Sequence, residues 1–189
     1  MTATQTHPGP ETTMRELLAL YPGARRTLFR RYHIGGCSSC GFGEEETLAG
    51  LCARNDGLPV AEVLEQLRLS HEEDLRHLIE PSELKRAIDA RAAPRILDIR
   101  TREEFEAVRI PGSELLTQDG MREAMGGWAK TEPVVVVDHE GKRALDAAAF
   151  FTGHGFTAIR ALRGGIDAYS AEADSSLPRY TLEPVGEAV

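Results

Sequence analysis

The sequence predicts two folded parts: a small all-helical module, then a three-layer α/β domain with a mainly parallel central sheet. Three observations predict it. Apolar residues recur at spacings of three and four over roughly the first seventy positions, which is the helical period. Beyond about residue 75 short β-branched runs alternate with helix-like segments, the order that parallel strands covered by helices on both faces require. One of those runs, Val134 to Val137, has no polar alternation, as expected of a strand buried on both sides.

Residues 1–11 read as a flexible tail. Met14, Leu17, Leu18 and Tyr21 then mark a short amphipathic helix, with Thr12 or Thr13 as its cap and Pro22 as its stop. Ala24 to Tyr32 form a second helix that turns Leu28 and Phe29 inward between arginines, and Gly35 and Gly36 end it. The stretch from Glu44 to Arg54 opens with three acids, which suit a helix N-terminus, and presents Leu48, Leu51 and Cys52 on one face. Pro59, at a first helical position, precedes a fourth helix carrying Val60, Val63, Leu64 and Leu67. These make a helical module over 12–69. The polar run 70–76 lacks an apolar face and reads as a linker. In the second part strands are expected at 95–99, 133–137 and 157–162, and helices at 81–90, 101–107, 118–130 and 142–154. Gly164 and Gly165 form a tight turn before a last helix, the domain closes near 180, and 181–189 reads as a second tail.

Charge narrows the function. With 22 Lys+Arg against 30 Asp+Glu, the net charge of −8 repels phosphate backbones and anionic headgroups, so neither nucleic acid nor membrane is an expected partner. Residues 1–77 hold eight basic and eleven acidic residues, and the remainder fourteen and nineteen, so neither half is basic overall. The N-terminal stretch has no secretory pattern and no run nears the length of a membrane helix, which points to the cytoplasm.

All three cysteines fall between positions 37 and 52. Cys37 and Cys40, in HIGGCSSCGFG, are three apart among glycines, a spacing that can close a small disulfide ring or share a metal. Adding His33 and Cys52 supplies three thiolates and one imidazole, a set that fits zinc or an iron–sulfur cluster. Cys52 also lies on the apolar face of its helix, where a thiol serves as core. Residues 12–68, with YPGARRTLFRRYHIGGCSSC and a leucine-rich tail, resemble the redox-disulfide domain associated with hybrid-cluster proteins. That resemblance implies that Cys37 and Cys40 are a redox pair with no cofactor, and it leaves Cys52 outside the pattern.

The second part carries LDIRTREEFEAVRIPGSELL, VVVVDHEGKRALDAA, GHGFTAIRALRGGIDAY and a closing LPRY, and over about 77–180 it resembles the rhodanese-homology domain, a sulfurtransferase fold. Active members place a cysteine first in a six-residue loop, where amides and a helix N-terminus stabilise a persulfide. Here the matching residues are Asp138, His139, Glu140, Gly141, Lys142 and Arg143, so the loop length is kept while an aspartate stands at the cysteine's position and the nucleophile is absent. No cysteine follows position 52, and a carboxylate cannot accept and pass on a sulfane sulfur. Asp138 is expected to accept loop amides as a built-in anion, with a nucleophile, a general base or a docking group as alternatives. Lys142 and Arg143 bind an anion or pair with Glu140 and Asp138, Asp98 and Arg100 brace a turn, and His139 and His154 face solvent.

These readings combine into a two-domain thiol-redox or sulfur-relay protein with chemistry at Cys37 and Cys40. Its second domain recognises a protein redox or sulfur-transfer partner, or a small anion. The alternative is a non-catalytic regulatory or binding protein, and a working thiosulfate sulfurtransferase is the least favoured reading.

Overall fold

The computed structural model describes residues 7–35 and 41–181 and divides into two compact units, 1–76 and 77–189. In the first unit α1 (Met14–Leu20) begins with a capping box, in which the Thr13 hydroxyl accepts from the Glu16 amide and the Glu16 carboxylate accepts from the Thr13 amide. α2 (Ala24–Tyr32) ends at His33 in the left-handed conformation. α3 (Leu48–Arg54) starts only after Thr47, whose hydroxyl caps it. Glu44, Glu45 and Glu46 therefore precede the helix rather than forming its first turn: the Glu44 and Glu46 carbonyls accept from the Arg15 and Met14 amides, and the Glu44 and Glu45 carboxylates pair with Arg15. Met14, Leu17, Leu28, Leu48, Leu51, Val63 and Leu67 meet in one buried core.

α4 runs from Val60 to Arg76 without interruption. The segment 70–76 is therefore helix and not a linker, because its polar side chains have partners across the unit. Asp74 is buried and pairs with Arg26, the Thr27 hydroxyl donates to Ser70 Oγ at 2.6 Å, and His71 stacks on Tyr21 with ring centroids 4.4 Å apart. An apolar period is absent there because polar contacts replace it.

The second unit contains, among the described residues, five parallel strands in the order β1-β5-β4-β2-β3. They are β1 (Leu78–Ile79), β2 (Arg95–Asp98), β3 (Ser113–Leu115), β4 (Val134–Val137) and β5 (Ile159–Leu162). The helices α5 (Pro81–Asp89), α6 (Arg102–Ala107), α7 (Gln118–Gly127), α8 (Lys142–Gly153) and α9 (Gly165–Glu172) alternate with them. Strand side chains divide by period two between two cores. Leu97, Val134, Val136, Ile159 and Ala161 pack with Ala124 of α7 and Ala144, Leu145, Ala148 and Phe151 of α8. Ile79, Ile96, Val135, Val137 and Leu162 pack with Leu84 of α5 and Ile166 and Tyr169 of α9. This is a three-layer α/β arrangement, and each buried valine of β4 contributes roughly 1.5–3 kcal/mol. The short strands β1 and β3 were not expected from the sequence.

No described helix is long and apolar enough to cross a membrane.

Candidate functional site

The chain steps from β2 outward to β3 and then returns across β2 to β4 and β5, so the strand order reverses between β2 and β4. In open parallel sheets a crevice forms at the carboxyl ends of the strands flanking such a reversal. Asp98 ends β2, and Asp138 follows β4 directly.

Asp138 is 3% exposed and its carboxylate is fully engaged. Oδ1 accepts from the Gly141 amide at 2.6 Å and Oδ2 from the Arg143 amide at 2.9 Å. Burial pushes its pKa up, while the amides of Arg143, Gly141 and Ala144 and the Arg143 charge pull it back. Both oxygens accept and neither donates, the pattern of an ionised carboxyl at the N-terminus of α8.

The loop is also closed from behind. Its carbonyls at Asp138 and His139 accept from the Ile166 and Asp167 amides at 2.9 and 3.1 Å, in the first turn of α9. Gly165 makes this approach feasible: a Cβ there would lie 2.3 Å from the His139 carbonyl oxygen, and its φ is +61°. Gly141 faces the same turn from the other side, with a Cβ position 2.6 Å from the Gly164 nitrogen.

The other loop side chains separate. Lys142 pairs with Glu140 at 2.7 Å on the surface. The Arg143 guanidinium donates to the Ile99 carbonyl at 3.4 Å, so it reaches Asp138 through its backbone and not as a side-chain ion pair. His139 is only partly exposed, contrary to the solvent-facing expectation: its ring meets Tyr180 at 4.5 Å between centroids and its Nδ1 is buried. His154 does face solvent.

Beside the loop, Asp98 and Arg100 form a buried ion pair closing at 2.7 Å. Arg100 also donates to the Val108 carbonyl at 2.7 Å and to the Tyr180 hydroxyl at 2.8 Å, and Tyr180 donates to Glu104 at 2.7 Å. Burial raises the Tyr180 phenol to about 12. Arg179, one residue earlier, pairs with Asp167 at 2.8 Å. The segment through Tyr180 thus ties the β2 turn to the loop after β4. Sequence reading noted LPRY as a closing motif but missed that Tyr180 and Glu104 join this network, since the partners of Arg100 lie up to eighty positions apart.

Residues 80–172 match the family model described as the rhodanese-like domain. Over this stretch, just under half of the sequence, the chain is similar to that family. Over 84 residues the sequence is 29% identical to the thiosulfate sulfurtransferase GlpE of Pseudoalteromonas translucida, covering 44% of this chain and 80% of that protein. The GlpE of Pseudomonas fluorescens is 27% identical over 88 residues, covering 47% and 81%. Among solved structures, a rhodanese-like domain protein from Staphylococcus aureus aligns with a TM-score of 0.43 and 25% identity, covering 55% of this chain and 98% of that one.

In the helical unit Cys37 and Cys40 lie outside the described residues. Cys52 is 1% exposed within the core with Leu48 and Leu51, and burial pushes its thiol pKa up. His33 is exposed at the end of α2.

Proposed function

We propose that this protein is a thiol-redox or sulfur-relay protein whose chemistry belongs to Cys37 and Cys40, with a rhodanese-like domain that recognises a partner instead of carrying sulfur. The observation that supports it best is the Asp138 carboxylate accepting the Gly141 and Arg143 amides. In this reading Asp138 stands at the position of the family's nucleophile, and the donors that would stabilise a persulfide anion already hold a fixed carboxylate. A small external anion would have to displace that carboxylate, so a protein partner is the better occupant of this face. Relatives named thiosulfate sulfurtransferase support a history in sulfur handling, and thiols confined to positions 37–52 support its relocation to the helical module.

The proposed step is balanced within the pair. One thiolate attacks the outer sulfur of a donor persulfide, and the donor leaves as its thiol. The second thiolate then attacks the first sulfur, releasing hydrosulfide and closing the Cys37–Cys40 disulfide. The helical module thereby serves as the redox-disulfide unit its sequence resembles, with no cofactor. Metal analysis after anaerobic purification tests that point: stoichiometric zinc or iron would replace the dithiol by a metal site that includes Cys37 and Cys40.

The deciding experiment compares wild type, Asp138→Cys and a Cys37→Ser/Cys40→Ser double variant. Wild type is expected to give no thiosulfate-to-cyanide transfer, and Asp138→Cys to gain it. A persulfide donor should add one sulfur to Cys37 or Cys40, or oxidise the pair. Uptake of sulfur from the persulfide donor by the double variant at the wild-type rate would overturn the assignment.

A further inference from the structure

The helical unit is acidic overall, yet its positive charge is concentrated. Arg15, Arg26, Arg54, Arg68 and Arg76 each pair with an acid. Arg25 lies over the Phe42 ring at 4.4 Å. Arg30 and Arg31 are exposed and have no acid partner among the described residues. All three of these arginines belong to α2, a nine-residue helix with no acid in it.

Arg30 and Arg31 border a cleft of about 470 Å³ between α2 and α4. Residues four apart share a helix face, so Arg26 and Arg30 form one row along it and Thr27 and Arg31 the next. Ser70 and Leu69 of α4 line the opposite wall. Glu73 also lines the cleft, and it is engaged by Arg76 at 2.6 Å. Arg26 is largely neutralised by Asp74. The charge left to an incoming group is therefore that of Arg30 and Arg31. Leu69, at 44% exposure, adds apolar surface to the cleft, whereas Phe29, expected inward from the sequence, is 48% exposed and does not line it.

We propose that this cleft is a docking site for an acidic segment of a protein partner, a chain carrying carboxylates with an apolar residue between them. Planar guanidiniums bind carboxylates in a bidentate manner, and they are enriched with aromatic side chains at protein interfaces. A free inorganic anion would use the arginines but leave the exposed Leu69 wall without a role. The inference goes beyond the proposed sulfur chemistry and does not rest on it, since no cysteine takes part.

The test titrates the full-length protein with a fluorescein-labelled peptide of alternating glutamate and leucine, using the lysine–leucine peptide as control. The acidic peptide should bind and the basic one should not. Affinity should fall at least about tenfold as ionic strength rises from about 0.05 to about 0.5 M. Arg30→Glu/Arg31→Glu should abolish binding, with Arg102→Glu as a charge control in the other unit. If that double reversal unfolds the helical unit, Arg30→Gln/Arg31→Gln retains helix propensity and should weaken binding at least about tenfold. Absence of binding at low salt, or binding unchanged in both double variants, would overturn the proposal. So would self-association of the wild type that the double variants abolish, measured by light scattering, because the occupant would then be a second copy of this chain. Sulfur transfer and thiol assays remain a separate readout, so loss of one reading leaves the other measurable.

Discussion

Replacing Asp138 with alanine removes the acceptor of two amides inside a closed loop. Each bond joins a neutral donor to an ionised acceptor, a class worth about 1.5–3 kcal/mol, and each abandoned buried amide costs about 1–3 kcal/mol. Release of a carboxylate from its 3%-exposed site offsets part of this. The net expectation is a loss of about 2–4 kcal/mol, within the range for removing a strong helix cap together with a buried partner. For a unit of this size that lowers the melting temperature by roughly 10–20 °C. Trp128 is the sole tryptophan in the sequence and lies in the second unit, so its fluorescence follows this unit's unfolding. Asp138→Asn should fall between, because its oxygen can accept one amide while its NH₂ opposes the other. Burial places the folded Asp138 pKa above the usual aspartate range. The native state therefore keeps a proton that the unfolded chain has released, and stability declines as pH rises from the unfolded value through the folded one. Asp138→Asn should lack that decline. A melting temperature for Asp138→Ala within about 2 °C of wild type would refute the reasoning, since the amides would then be satisfied by water in an open loop.

Gly165→Ala places a methyl 2.3 Å from the His139 carbonyl at a φ of +61° and should prevent α9 from docking, at a cost above the roughly 1–3 kcal/mol of the backbone strain alone. Gly153→Ala, with nothing within 4 Å, should be neutral or slightly stabilising in the same thermal melt. Arg100→Met leaves Asp98 buried without its counter-ion and should cost about 3–5 kcal/mol by urea unfolding, most of it recovered when Asp98 is also made apolar. Burial holds the Tyr169 and Tyr180 phenols at about 12, against an ordinary value of 10.0. The native state then retains protons that the unfolded state loses, so stability should fall as pH rises from 10 towards 12, and Tyr180→Phe should flatten part of that slope.

Much of this architecture is legible in the sequence because the signals are local. The run Val134–Val137 announces the central strand, the threonines at 12 and 13 announce a cap that the structure assigns to Thr13, and α2 has the limits its composition suggests. The six-residue spacing from Asp138 to Arg143 likewise exposes the loop. What was missed depends on partners distant in the chain. β1 has two residues and gains its identity from β5, while β3 lies at the sheet edge and, among the described residues, pairs with β2. The role of Gly165 depends on the Asp138 and His139 carbonyls, which only the folded sheet brings beside it. Tyr180 gives no pattern of its own and acts through Arg100 and Glu104.

The unbroken course of α4 to Arg76 has a practical consequence for anyone dividing the gene. A fragment ending at position 69 would discard Asp74 and Ser70, stranding Arg26 and the Thr27 hydroxyl in an interior built to neutralise them. The helical half should be cut after Arg76, and failure of a shorter piece to fold would say nothing about the chemistry of its thiols.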